Sequence, residues 1–77
     1  MKTRKELKAE IVGYLENECA FRDYRILPRK YYRQVNRIGI HHMFSLNSYQ
    51  RADVEFEIDD AISTFCRDGY PTIYFYI

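Results

Sequence analysis

The chain has 77 residues, is 47% hydrophobic and carries a formal net charge of only +1. It is therefore one small domain, too apolar for a disordered segment and not a uniformly basic nucleic-acid binder. No stretch approaches the ~20 apolar residues that span a bilayer.

The near-zero total hides two opposed blocks. Between residues 21 and 42 stand Arg22, Arg25, Arg29, Lys30, Arg33 and Arg37 against Asp23 alone, a local charge of +5. Between residues 53 and 68 stand Asp53, Glu55, Glu57, Asp59, Asp60 and Asp68 against Arg67 alone, a local charge of −5. Such a division either neutralises itself across the fold or presents two faces of opposite sign to partners.

Taken in order, the chain opens with Thr3 and Glu6 at the spacing of a capping box. Leu7, Ile11, Tyr14 and Leu15 then recur at helical spacing, which predicts a helix over 4–19. The N-terminus is charged and lacks the apolar run of a secretory signal, which points to the cytoplasm. Cys19 and Cys66 lie far apart without CxxC spacing and read as free thiols used as small core residues.

A connector with a brief extended piece at Tyr24 and Ile26 leads to residues 28–39, PRKYYRQVNRIG. At 100° per residue, Arg29, Arg33 and Arg37 share one face and Tyr31, Val35 and Ile38 the opposite one. Pro28 suits a first helical position and Gly39 a left-handed stop. The pattern predicts a helix over 28–38 with a core stripe and an arginine stripe.

Next, Ile40, His42, Phe44 and Leu46 alternate with His41, Met43 and Ser45, a strand pattern over 40–46, and Asn47 and Ser48 signal a turn. Over 53–67, Val54, Ile58, Ala61, Ile62 and Phe65 share a helical face. The same stretch also scans as a strand over 52–58 followed by a short helix, though the tight five-residue face favours one helix. Asp68 and Gly69 end it. Residues 72–77, TIYFYI, form an apolar strand that must be paired and covered.

These elements predict an α+β single domain over 1–77, with three helices packed on a small antiparallel sheet in the order α-α-β-α-β. The variant order α-α-β-β-α-β adds a strand at 52–58. Strands 40–46 and 72–77 are expected to pair.

Two functional readings lead. In the first, a small binding module contacts RNA or DNA through Arg22, Arg25, Arg29, Lys30, Arg33 and Arg37, whose guanidinium forks fit phosphate oxygens. Tyr32 flanks that stripe, and Tyr24, Tyr31 and Tyr49 offer further rings on which unpaired bases stack. The bland counterpart is a solvated arginine face paired with the acidic helix. In the second reading the module binds or inhibits a protein. Asp53, Glu55, Asp59 and Asp60, with Phe56 as apolar anchor, would enter a partner's basic groove, or a homodimer would join opposite faces. Small, aromatic, charge-split domains of this kind are found among phage and mobile-element proteins.

An enzyme is not expected. His41 and His42 point to opposite faces of a strand and cannot chelate one metal. His41 lies near enough to the arginines to suggest metal-free phosphate chemistry, but His42 reads as a satisfied core histidine. No metal or cofactor is implied.

Overall fold

The computed structural model describes residues 2–34, 36–45 and 50–77. Among these, the chain forms helix α1 (Arg4–Gly13), strands β1 (Tyr24–Leu27) and β2 (Ile40–Met43), helix α2 (Arg51–Asp68) and strand β3 (Ile73–Tyr76). The three strands make one sheet in the order β1-β3-β2, with both pairings parallel.

Helix α1 begins where the sequence requires. The Glu6 amide donates to the Thr3 hydroxyl at 3.1 Å and the Thr3 amide to the Glu6 carboxylate at 3.2 Å, closing the capping box. These bonds, with the neighbouring lysine, hold the Glu6 carboxyl below the usual glutamate range. The helix widens into a π turn at Tyr14–Glu18, as the Cys19 amide reaches the Tyr14 carbonyl at 3.0 Å. The chain then reverses through Ala20 at φ 51°, a left-handed conformation that costs a non-glycine residue about 1–2 kcal/mol. Helix α2 stops at Gly69, whose φ of 71° lets its amide close on the Phe65 carbonyl at 3.0 Å.

Both helices lie on one face of the sheet. Leu7, Ile11 and Leu15 of α1 meet Val54, Ile58 and Ala61 of α2 over Ile73, Phe75 and Ile77. Full burial of each leucine or isoleucine stabilises the fold by about 1.5–3 kcal/mol. The opposite face carries Arg25, Leu27, His41, Met43, Tyr74 and Tyr76, read from the strand register. Residues 28–39 cross this second face. Tyr32 packs edge-on against Tyr76 with ring centres 5.1 Å apart. The central strand is thus covered on both sides, which explains its unbroken apolar run.

The structure corrects the expected architecture in three ways. The sheet is parallel, because α2 carries the chain back along the length of β2 before β3 begins. A strand-helix-strand unit joins parallel neighbours, whereas only a tight turn would make them antiparallel. The third strand is β1 and not the variant's strand at 52–58, since those residues belong to the single helix that the favoured reading places there.

The expected helix over 28–38 does not form. Among the described residues of the segment, only a 3-10 turn, Arg29–Tyr31, follows Pro28, whose own backbone is extended at ψ 145°. Aromatic and β-branched residues are weak helix formers, so tertiary packing decides this segment. It must cross the position of β3 to reach β2. Crossing opposite α2 gives both crossovers the same hand, as strand twist favours. The supposed core stripe is therefore outside: Tyr31 is 40% exposed and Ile38 77%, while Val35 lies outside the described residues. Gly39 is not a left-handed stop either. A Cβ there would stand 2.6 Å from the Thr72 carbonyl oxygen and 2.7 Å from the Tyr74 ring, so glycine is required by close approach.

Candidate nucleic-acid interface

With the helix gone, the basic residues no longer form one stripe. Arg29 is structural. Its amide donates to the Ile77 carbonyl at 3.0 Å and its half-buried guanidinium donates to the Phe44 carbonyl. Arg22 and Arg25 flank the outer edge of β1. There, with Lys8, Val12, Glu16, Tyr24 and Ile26, they line a groove of about 340 Å³. Arg22 is paired with Glu16, which also accepts the Tyr24 hydroxyl, so the net positive charge of this groove is reduced.

The Glu16 carboxyl is held below its ordinary range, chiefly by the Tyr24 hydroxyl and further by Arg22. Burial, then the Glu16 carboxylate, pushes the Tyr24 phenol up to about 12.

Lys30, Arg33 and Arg37 remain together on the segment over the second sheet face, and all three are exposed. Beside them opens a cleft of about 390 Å³ lined by Leu27, Tyr31, Gln34, Asn36 and Arg37. The Lys30 ammonium sits over the Tyr31 ring, 5.3 Å from its centre. The wall of the cleft is fixed from below. His41 Nε2 lies 3.0 Å from the Arg37 carbonyl, which only accepts, so that nitrogen carries the proton. His41 Nδ1 then accepts the Tyr76 hydroxyl at 2.8 Å. The imidazole also stacks on Tyr74 at 5.0 Å between ring centres, tilted by 9°. His41 thus anchors Arg37 to the central strand, and both its nitrogens are engaged.

Tyr31 is the ring that opens into the cleft. Tyr32 is 39% exposed but leans on Tyr76, Tyr24 is tied to Glu16, and Tyr49 lies outside the described residues. Gln34 and Asn36 escaped the sequence reading. Their alternation between Arg33 and Arg37 is the signal, visible only once the segment is not taken as a helix.

The acidic residues also divide. Glu55 pairs with Arg51 at 3.0 Å, and Asp59 accepts the Tyr14 hydroxyl at 2.7 Å, which together with burial raises the Tyr14 phenol. Asp53, Phe56 and Asp60 face outward from α2, with Phe56 73% exposed. Of the histidines, His42 faces the helices, 2.6 Å from Glu57 and edge-on to Phe44 at 4.6 Å. Cys66 is exposed rather than part of the core. Cys19 is half-buried, and burial raises its thiol, which disfavours the reactive thiolate.

No family model, curated protein or solved structure matches this chain. Among the described residues, no group of three or more His, Cys, Asp or Glu side chains is placed to hold a metal, and no helix is long and apolar enough to cross a membrane.

Proposed function

We propose that the chain is a cytoplasmic binding module for single-stranded nucleic acid, using the cleft beside Lys30, Arg33 and Arg37. The observation that carries this reading is the lining itself. An exposed tyrosine ring, two side-chain amides and an arginine converge on one opening. A base stacked on Tyr31 would present its edge to Gln34 and Asn36, each of which donates and accepts. Its phosphate would meet Arg37, with Arg33 and Lys30 following the backbone on either side. Duplex is disfavoured, because among the described residues of the basic segment there is no α-helix to enter a groove. A gel shift against single- and double-stranded RNA and DNA at low salt tests the reading. A shift with single strands supports it, and no shift with micromolar protein overturns it.

The exposure of Phe56 favours a second reading, in which the outer face of α2 binds a basic protein surface with an apolar centre. A lone exposed aromatic ring between acids is the composition of an interface anchor with a charged rim. Under this reading, Phe56→Ala abolishes partner binding, while Arg33→Ala weakens it only where the basic surface is that of a second copy of this chain.

A further inference from the structure

We infer that the surface bound by the α2 face is a second copy of this chain, and that copies stack head to tail. The inference rests on the second reading above and names its partner. Two surfaces on the molecule complement each other. The outer face of α2 places Phe56, 73% exposed, between Asp53 and Asp60, and residues 53–60 contain five acids and no base. The far side of the sheet and the segment over it expose Tyr31, Tyr32, Ile38 and Met43 at 40%, 39%, 77% and 40%. Around them stand Lys30, Arg33 and Arg37, and residues 28–39 contain no acid.

Each surface carries exposed apolar side chains among charges of one sign, and the signs are opposite. Phe56 fits the apolar cluster as an anchor, and Asp53 and Asp60 fit the arginines as its rim. Scattered apolar residues on a surface need no partner, but two matched and oppositely charged clusters call for one.

The geometry determines the kind of assembly. α2 lies on one face of the sheet and residues 28–39 on the other, so a copy cannot satisfy both of its own surfaces. The body is flat, 33 × 29 × 16 Å along its principal axes, with the sheet between the two surfaces. The contact is therefore between unlike patches and leaves one free surface at each end of a stack. The basic face is also the one proposed for nucleic acid, so a bound strand and a docked copy exclude one another.

Two variants test this by sedimentation after removal of nucleic acid. One carries Asp53→Asn, Phe56→Ala and Asp60→Asn; the other carries Arg33→Gln and Arg37→Gln. All five side chains are exposed, and circular dichroism verifies the fold. The wild type should grow in mean mass with concentration up to ~1 mM, the weak end of specific association. Growth should be strong at about 0.01 M salt and at least several-fold weaker at about 1 M, where the Debye length shrinks from ~30 Å to ~3 Å.

Each variant alone should stay monomeric. An equimolar mixture should form a dimer and stop there, because one intact acidic face then meets one intact basic face. Should either variant fail to fold, Phe56→Ala and Arg33→Ala singly should each weaken association several-fold. A monomeric wild type, a variant that still self-associates, or a mixture that stays monomeric overturns the inference. Binding of a lysine-rich peptide with one central tyrosine, retained by the wild type and lost in Phe56→Ala, separates that failure from failure of the α2 reading itself.

Discussion

The guanidinium of Arg29 donates to the main-chain carbonyl of Phe44, tying the start of the crossover segment to the end of β2. An arginine that looks from sequence like a ligand-binding residue is therefore part of the frame. Arg29→Ala should destabilise the domain by about 1.5–3 kcal/mol, the usual worth of a hydrogen bond to a charged group. Arg33→Ala, at an exposed position, should stay within about 0.5 kcal/mol of wild type. Urea midpoints of the two variants check the contrast, and equal midpoints would contradict it.

Gly39 gives a second stability test. Its missing Cβ leaves room for the Thr72 carbonyl and the Tyr74 ring, at 2.6 and 2.7 Å from where that atom would sit. Backbone on one side cannot give way cheaply. Gly39→Ala should cost about 1–3 kcal/mol through overpacking. Thermal unfolding measures this, and an unchanged midpoint would show that the close approach is not real.

Removing residues 74–77 should abolish cooperative unfolding. These residues are buried, and they include most of the strand that pairs with both β1 and β2. Ile77 adds contacts outside the strand: its amide donates to Leu27, and its carbonyl accepts from the Arg29 amide at 3.0 Å and from Arg4 Nε at 3.1 Å. A truncated chain with the wild-type thermal transition would refute this.

The helices were legible because their signals are local. The Thr3–Glu6 box, the spacing of Leu7, Ile11 and Leu15, and the Gly69 stop all act within a few residues of each other. The apolar run at 73–77 likewise announced a strand covered on two sides. The direction of pairing is also open to inference, since a helix between two strands makes them parallel, although the alternation at 40–46 is the pattern of an antiparallel strand with one face exposed. Residues 28–38 failed for a physical reason. Their helical period is genuine, yet Tyr32 packs across the sheet on Tyr76 and Arg29 binds a distant carbonyl, and neither partner is adjacent in sequence. The cleft was hidden by the same error, because Gln34 and Asn36 have no role on a helix whose arginines do the binding.

The pair of Tyr24 and Glu16 sets a pH dependence of stability. The Glu16 carboxyl is lowered in the folded chain, so its contribution is present above the ordinary glutamate range and is lost as the pH falls. The Tyr24 phenol is raised to about 12, so its contribution is full below the ordinary tyrosine value of 10.0 and is lost as the pH climbs through 12. Tyr24→Phe removes the pair. The gap in urea midpoint between wild type and this variant should be widest near neutral pH and narrow toward pH ~3, below the unperturbed carboxylate range. A constant gap would mean that the hydroxyl contributes nothing through Glu16.

The most direct test of the binding account is the salt dependence of affinity for a short single-stranded oligonucleotide, followed by fluorescence anisotropy. Each phosphate neutralised on a single strand adds about −0.7 to the slope of log K against log salt. Contacts from Lys30, Arg33 and Arg37 should give a slope near −2 by that rule, and Arg33→Ala with Arg37→Ala should reduce its magnitude to about 0.7. Tyr31→Ala should weaken binding by about 1–3 kcal/mol with the slope unchanged, because stacking releases no counterions. An arginine variant with the wild-type slope, or a Tyr31→Ala variant with wild-type affinity, would contradict the assignment of this cleft.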